Sequence, residues 1–301
     1  MDLLTRSDFD GLACAVLLRE IGMIGKWRFV HPKDLQDGNV RVTANDILAN
    51  VPYVPGCGMW FDHHTSEWER IGRPEGFVGS LRKLDSAARV IYEYYKDRYS
   101  LSKFDYMLTE VDRVDSGRLT ADDVLNPQGW VLLGFLTDPR TGLGRFRDFR
   151  ISNYSLMEEL VDHCRSLPIE EILELPHVKE RVDLYYEQSE LFKEMLKAHT
   201  KVHDNVIVTD LRGVESINAG NRFLIYSLFP EQNISIWAVD GKNKENVSLA
   251  CGYSILNRTS TVDVGSVLLR YGGGGHKQVG TCQVAHSDAD RIIGELIEKL
   301  Q

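Results

Sequence analysis

The run Met59-Trp60-Phe61 reads as the end of a buried strand, and it stops at Asp62 followed by two imidazoles, His63 and His64. Carboxylate oxygen and neutral imidazole nitrogen together suit a borderline-hard divalent ion such as Mn²⁺ or Zn²⁺. The tripeptide alone is equally a hydrogen-bonded loop, so its meaning depends on what else reaches the same place. Upstream, Leu3-Leu4 opens a short strand into an acidic turn, Asp8-Phe9-Asp10-Gly11, and Leu12, Ala15, Val16 and Leu18 then recur at helical spacing. Strand, acidic turn with glycine, then helix is the opening of an α/β unit. Two acids at i and i+2 beyond a strand can point into one crevice, where open α/β sheets bind ligands. Asp8 as a plain helix cap explains one of these acids and leaves the other unexplained. Trp27–Val30 reads as a second strand and Val40–Ala44 as a third, leading into Asn45-Asp46-Ile47 with another acid near a strand end. Three consecutive α/β units thus send carboxylates, and the third also imidazoles, towards one sheet edge. That convergence argues for a metal site.

A chain of 301 residues exceeds one average domain, and each of two domains can bury its own core. Its 43% hydrophobic and 26% charged residues are those of an ordinary globular protein. A net charge of -9 argues against long duplex nucleic acid, which needs a basic face, but leaves short anionic ligands open. Cys14, Cys57, Cys164, Cys251 and Cys282 include no Cys-x-x-Cys pair, so they read as reduced core thiols. With no signal-like N-terminus and no apolar run near ~18 residues, a cytoplasmic location is expected.

Further along, Asp85 or Ser86 caps a helix that begins near Ala87, and a helix from Phe104 places Asp112 and Asp115 near its end. Acids there oppose the helix dipole, and a cation explains them better than helix stability does. The segment from Gly134 to Arg145, which contains Asp138, reads as a solvated turn in preference to a cleft-covering loop. Helical pattern returns over Ser155–Cys164 and Val178–Ala198, the last being the best connector between domains. Beyond it, Ile234–Val239 and Val247–Ser254 alternate at period two across a Gly241-Lys242 hairpin signal. Four glycines, 272–275, precede His276-Lys277. Such a run lets backbone N–H groups approach an anion closely, as in a phosphate-cradling nest.

Taken together, Asp8-Phe9-Asp10-Gly11, Asp62-His63-His64 and Gly273-Gly274-Gly275-His276 resemble the motifs of the DHH phosphoesterase superfamily, in members with the DHH-associated C-terminal domain. That group includes exopolyphosphatase-related proteins, nanoRNases and RecJ-type exonucleases, and the resemblance covers nearly the whole chain. It implies an α/β fold: a parallel-sheet DHH domain over residues 1–180, a helical connector over 181–203 and a smaller α/β substrate-binding domain over 204–301, with the site in the cleft between them. It implies Mn²⁺ as cofactor, one or two ions, with Mg²⁺ or another divalent ion as substitute. Asp8 and Asp46 would hold one ion, and Asp10, Asp46, His63 and Asp112 the other. Asp115 is the next match to the fourth motif and Asp138 a weaker third. His64 would face the phosphate beside Asp62. Arg258, with Gly273, Gly274, Gly275 and His276, would grip the rest of the substrate.

One position departs from the family pattern. Arg6 stands two residues before Asp8, where the family carries a histidine, and a guanidinium cannot ligate a metal. Either the first ion site is weak or vacant, or another side chain replaces the imidazole, or Arg6 itself supplies charge to the phosphate. The expected activity is hydrolysis of a short phosphodiester or phosphoanhydride by metal-activated water, on oligoribonucleotides, dinucleotides, phosphoadenosine phosphate or polyphosphate. The alternative is a nucleotide- or oligonucleotide-binding sensor with a degenerate first site. No membrane contact is expected, a homodimer is allowed, and the exact substrate is left open.

Overall fold

The structure is a computed structural model that describes residues 1–64, 67, 72 and 76–301, with Lys242 described by its backbone alone. The chain divides into two compact units. One comprises Met1–Arg118 and Pro127–Tyr185, the other Leu119–Asn126 and Tyr186–Gln301.

In the first unit β1 (Asp2–Arg6), β2 (Lys26–Val30), β3 (Asp46–Ala49), β4 (Met59–Asp62) and β5 (Gly79–Leu81) form a sheet in the order β2-β1-β3-β4-β5. All of its pairings are parallel. Leu3, Leu4, Ile47, Leu48, Ala49, Trp60 and Phe61 are fully buried, which is why these strands read as unbroken apolar runs: both faces of the sheet are covered. The helices α1 (Phe9–Glu20), α2 (Pro32–Gln36), α3 (Ala87–Tyr95), α4 (Asp105–Asp115), α5 (Ala121–Leu125), α6 (Gly129–Thr137), α7 (Asn153–Ser166), α8 (Ile169–Glu174) and α9 (Pro176–His199) follow in chain order, α5 belonging to the second unit and α9 running from the first into the second. Helix α1 is buried on all sides from Phe9 to Leu18, because α3, α4, α6 and α7 pack around it. The order 2-1-3 places a switch point between β1 and β3, where the crossovers diverge and leave a crevice at the carboxyl ends of the strands.

The third strand is not where its alternation suggests. Residues 40–44 form no strand; Val40 and Val42 pack at the margin of a core cluster around Leu4, Leu48 and Trp60. The strand is the continuous run from Asp46 to Ala49, so Asp46 begins a strand instead of following one.

The second unit has a six-stranded sheet of β6 (Thr200–His203), β7 (Val206–Asp210), β8 (Ile234–Asp240), β9 (Val247–Tyr253), β10 (Gly274–His276) and β11 (Val279–Val284). Its order is β10-β11-β9-β8-β7-β6, antiparallel except for the β7–β8 pair. The helices α10 (Leu224–Leu228), α11 (Val264–Leu269) and α12 (His286–Leu300) complete it, and α5 packs against α10. Val206, Ile236, Leu249, Leu268, Ile292 and Leu296 share its core. Of the glycine run, Gly274 and Gly275 open an edge strand, and Gly272 and Gly273 precede it. A Cβ on Gly273 would fall 2.2 Å from Thr281 O, and one on Gly275 (φ +155) 2.2 Å from Val279 O. Close packing of the β10–β11 hairpin therefore accounts for these two glycines without a ligand. Among the described residues no helix is long and apolar enough to cross a membrane.

Candidate metal centre

The carboxyl edge of the first sheet gathers side chains from three strands and two helices. Past β1 the chain turns directly into α1, so closely that a Cβ on Gly11 would lie 1.9 Å from Arg6 O. Asp8 caps α1, accepting from Gly11 N at 2.9 Å, and the same Oδ1 accepts from Asn50 Nδ2 at 3.0 Å. Its Oδ2 pairs with Arg6 Nε at 2.9 Å.

Asp10 reaches across to the N-terminus of α3. Its Oδ2 accepts from Ala87 N at 2.9 Å and its Oδ1 from Ala88 N at 2.8 Å, two of the N–H groups a helix leaves without internal partners. Ser86 takes the next one, at Arg89 N, and donates its own hydroxyl to Asp112 Oδ1 at 2.6 Å. Despite its two N–H donors, Asp10 is pushed well above the usual carboxylate range, first by burial and then by the charges of Asp115 and Asp8. Asp115 is raised by burial and by Asp8, against the pull of His63, His64 and Arg140. Cys14, whose Sγ lies 3.8 Å from Asp10 Oδ1, is kept a thiol by burial and the same acids.

Asp62 ends β4. Its Oδ1 accepts from His63 N at 2.8 Å and from His64 Nδ1 at 2.8 Å. Burial alone would lower the His64 pKa, but the hydrogen bond and charge of Asp62, with Asp115 and Asp10 behind it, raise it to about 9. His64 is therefore an imidazolium at neutral pH in the metal-free protein.

His63 is oriented the other way. Its Nδ1 donates to the Leu84 carbonyl at 3.1 Å, which fixes the tautomer and leaves a lone pair on Nε2. That Nε2 is buried without a hydrogen-bond partner, 3.3 Å from Asp115 Oδ2 and 3.7 Å from Asp10 Oδ2. A buried ring nitrogen with no hydrogen-bond partner, facing two carboxyl groups, is a place where a cation fits. The backbone bond to the far ring nitrogen is also the usual support of a metal-ligating histidine. Two oxygens and one imidazole nitrogen, all mutually within 4.8 Å, fit a divalent ion of the Mn²⁺ or Zn²⁺ kind.

Two expected ligands stand elsewhere. Asp46 opens β3 beside Asp2, at the opposite edge of the sheet, and its Oδ2 accepts from Thr43 N at 2.6 Å and Thr43 Oγ1 at 2.8 Å. Four residues of strand separate it from the crevice, roughly 13 Å at 3.3 Å per residue. It bridges no ions there, and Asn50 is what β3 delivers to the crevice. Asp112 is one turn too early on α4: both its oxygens are committed, Oδ1 to Ser86 and Oδ2 to Arg89 Nε at 2.8 Å. Asp115 is the acid of that helix that meets His63. Asp138 caps the turn Pro139–Thr141 and grips Arg140 Nε at 2.8 and 3.1 Å. In the second unit, Gly273 adjoins and Gly274, Gly275 and His276 form the edge strand β10, while Arg258 is exposed with Nε on Ile255 O at 3.0 Å.

From the sequence, Arg140 reads as part of a solvated turn in preference to a loop that supplies charge to a phosphate. Burial would depress its guanidinium, but Asp138, then Asp8 and Asp115, hold it above its ordinary range. It lies on the turn after α6, whose Trp130 stacks on Phe9 at the start of α1 (centroids 6.1 Å apart). Ser7 and Asp138 also line one cavity of about 150 Å³. The signal available in the sequence was an arginine beside a capping acid, Asp138-Pro139-Arg140.

The fold and this centre define a class: an α/β protein with an acid–imidazole cluster able to hold a divalent cation at the switch point of a parallel sheet. The chain belongs to the DHH phosphoesterase superfamily, a group of hydrolases. It is similar to the solved structure of the pGpG-specific phosphodiesterase PggH from Vibrio cholerae, at 47% identity over 99% of this chain and 98% of that one, with a TM-score of 0.84. An exopolyphosphatase-related protein from Bacteroides fragilis shares the fold at 11% identity and TM-score 0.52, over 99% and 91% of the two chains. RecJ from Thermus thermophilus, solved with Mn²⁺, shares it at 11% identity and TM-score 0.51, over 99% of this chain and 51% of that one. No family model and no curated protein matches the chain.

Proposed function

We propose that the protein is a metal-dependent phosphodiesterase of the cytoplasm that hydrolyses short linear dinucleotides, with pGpG the first substrate to test. The observation that carries the metal-dependent part is the buried, unpartnered Nε2 of His63 between the carboxylates of Asp10 and Asp115. The similarity to PggH supports the substrate. The free thiols suit a reducing compartment.

Asp10, His63 and Asp115 would hold a divalent ion, Mn²⁺ or Mg²⁺, which acidifies water and neutralises phosphoryl charge. Around it, the chain supplies cations of its own. His64, protonated and held by Asp62, donates a hydrogen bond to a phosphoryl or leaving oxygen. Arg140, oriented by Asp138, offers its remaining N–H groups to the phosphate. In-line attack builds charge on the phosphoryl oxygens, and fixed donors of this kind stabilise it without reorganising. In the second unit, the exposed side chains of Arg258 and His276 are the ones we assign to substrate binding. A net charge of -9 keeps long duplexes out of the substrate range.

Turnover should be measured with Mn²⁺ against pGpG, pApA, 3′-phosphoadenosine phosphate and short polyphosphate. Mononucleotide release from pGpG well ahead of the others is the expected result. Release from polyphosphate alone would overturn the dinucleotide assignment. Tight binding with no release from any of them would favour a nucleotide sensor, the reading that Arg6 in its ion pair with Asp8 supports.

A further inference from the structure

The Asp8 side of the crevice and the Asp10–His63–Asp115 side are chemically unlike. Asp8 is already satisfied: Oδ1 accepts from Gly11 N at 2.9 Å and Asn50 Nδ2 at 3.0 Å, and Oδ2 meets Arg6 Nε at 2.9 Å. Its side chain is only 9% exposed, and the charge facing it is a guanidinium that stays protonated at any working pH. A divalent ion on Asp8 would have to share that carboxylate with Arg6, against like-charge repulsion in a poorly solvated site. The other residue at hand, Asn50, spends its amide nitrogen on Asp8. It leaves one neutral oxygen, buried and unpartnered, that brings no charge with which to hold an ion. Across the crevice the situation reverses: there a buried imidazole nitrogen without a hydrogen-bond partner faces the carboxyl groups of Asp10 and Asp115, at 3.7 and 3.3 Å.

We infer that the centre takes a single divalent cation, at Asp10, His63 and Asp115, and that Arg6 is the built-in cation of the Asp8 side, standing where a second ion would bind. This rests on the metal centre proposed above. Arg6 keeps a third of its side chain exposed at the end of β1, so its terminal N–H groups are open to a substrate phosphate while Nε anchors it to Asp8. A planar guanidinium suits that task, since it presents paired donors to phosphate oxygens. Asp8 then acts as helix cap and as the anchor of Arg6, not as a metal ligand.

The test is the count of ions per chain, read by calorimetric titration of metal-free protein with Mn²⁺ and by elemental analysis after desalting. The wild type should bind one. Asp8→Asn, which retains a capping side chain, should still bind one. Arg6→His combined with Asn50→Asp exchanges the guanidinium for a metal-binding nitrogen and adds a carboxylate, and should bind two. Two ions in the wild type, loss of the ion in Asp8→Asn, or a count still at one in the double variant would each overturn the inference. Binding of no ion by wild type would instead remove the metal centre itself, a separate failure. Circular dichroism on each variant confirms that the counts refer to folded protein.

Discussion

Nε2 of His63 lies 3.3 Å from Oδ2 of Asp115, buried and without a hydrogen-bond partner, while Nδ1 of the same ring donates to Leu84 O. The fold gathers this nitrogen and the carboxyl groups of Asp115 and Asp10 around one point. Asp115, with its pKa raised, is an acid that destabilises the metal-free protein when ionised. Asp115→Asn should therefore raise the melting temperature without metal and lose the rise that Mn²⁺ gives the wild type, about 2.7 kcal/mol at a hundredfold excess over Kd. Thermal melts with and without Mn²⁺ check both signs. Activity should drop by more than about 100-fold, since even outer-sphere partners of metal ligands are worth about 10–100-fold.

Asp46 provides the contrasting case. Its Oδ2 accepts both hydrogen bonds from Thr43 at the far edge of the sheet. Asp46→Ala should cost about 1 kcal/mol of stability, the worth of a turn hydrogen bond, and leave kcat/KM unchanged within a few-fold. A urea melt and a single saturation curve suffice, and a collapse of turnover in a folded variant would reinstate Asp46 as a ligand.

His64 should titrate in the metal-free protein with a midpoint near 9, well above its ordinary 6.5. A folded-state pKa raised in this way contributes stability that is complete below about pH 6.5 and is lost as pH rises through 9. NMR titration of the imidazole in the presence of a chelator reads the midpoint directly. Asp62→Asn should bring it back towards 6.5, because the largest raising influence is the hydrogen bond to Asp62.

Arg140 is aimed by Asp138 and senses Asp8 and Asp115 across the crevice. Arg140→Gln should lower kcat/KM by about 10–100-fold, the worth of a charge-assisted hydrogen bond of about 1.5–3 kcal/mol. The loss should shrink at high salt, where screening already weakens the wild type. Equal activity of the variant at low salt would remove Arg140 from the site.

Much of this protein was written locally. Unbroken apolar runs at Leu3-Leu4 and Met59-Trp60-Phe61 announced parallel strands buried on both faces, and the acids and imidazoles that end them announced the crevice. A cap at Asp85 or Ser86, which the structure places on Ser86, and the long helix before β6 were equally legible, because caps and helical periodicity are properties of neighbouring residues. Val40-Arg41-Val42 misled for the same reason: alternation reports a half-buried segment, and a segment lying on the rim of a core alternates as a strand does.

The sequence by itself determined α/β units whose strand ends converge on one edge, through local pattern, and, through the motifs that resemble the DHH phosphoesterases, the two-part organisation and the expected chemistry. It could not say at which end of β3 an acid would matter, which of Asp112 and Asp115 would face His63, or that Asp8 would be consumed by Arg6 and Asn50. Those outcomes depend on strand register and on the rotation of α4 about its axis. A shift of one strand length moves a carboxylate roughly 13 Å, and three positions along a helix move one by about 4.5 Å. Metal ligation tolerates neither displacement, so tertiary packing alone chose the members of the centre.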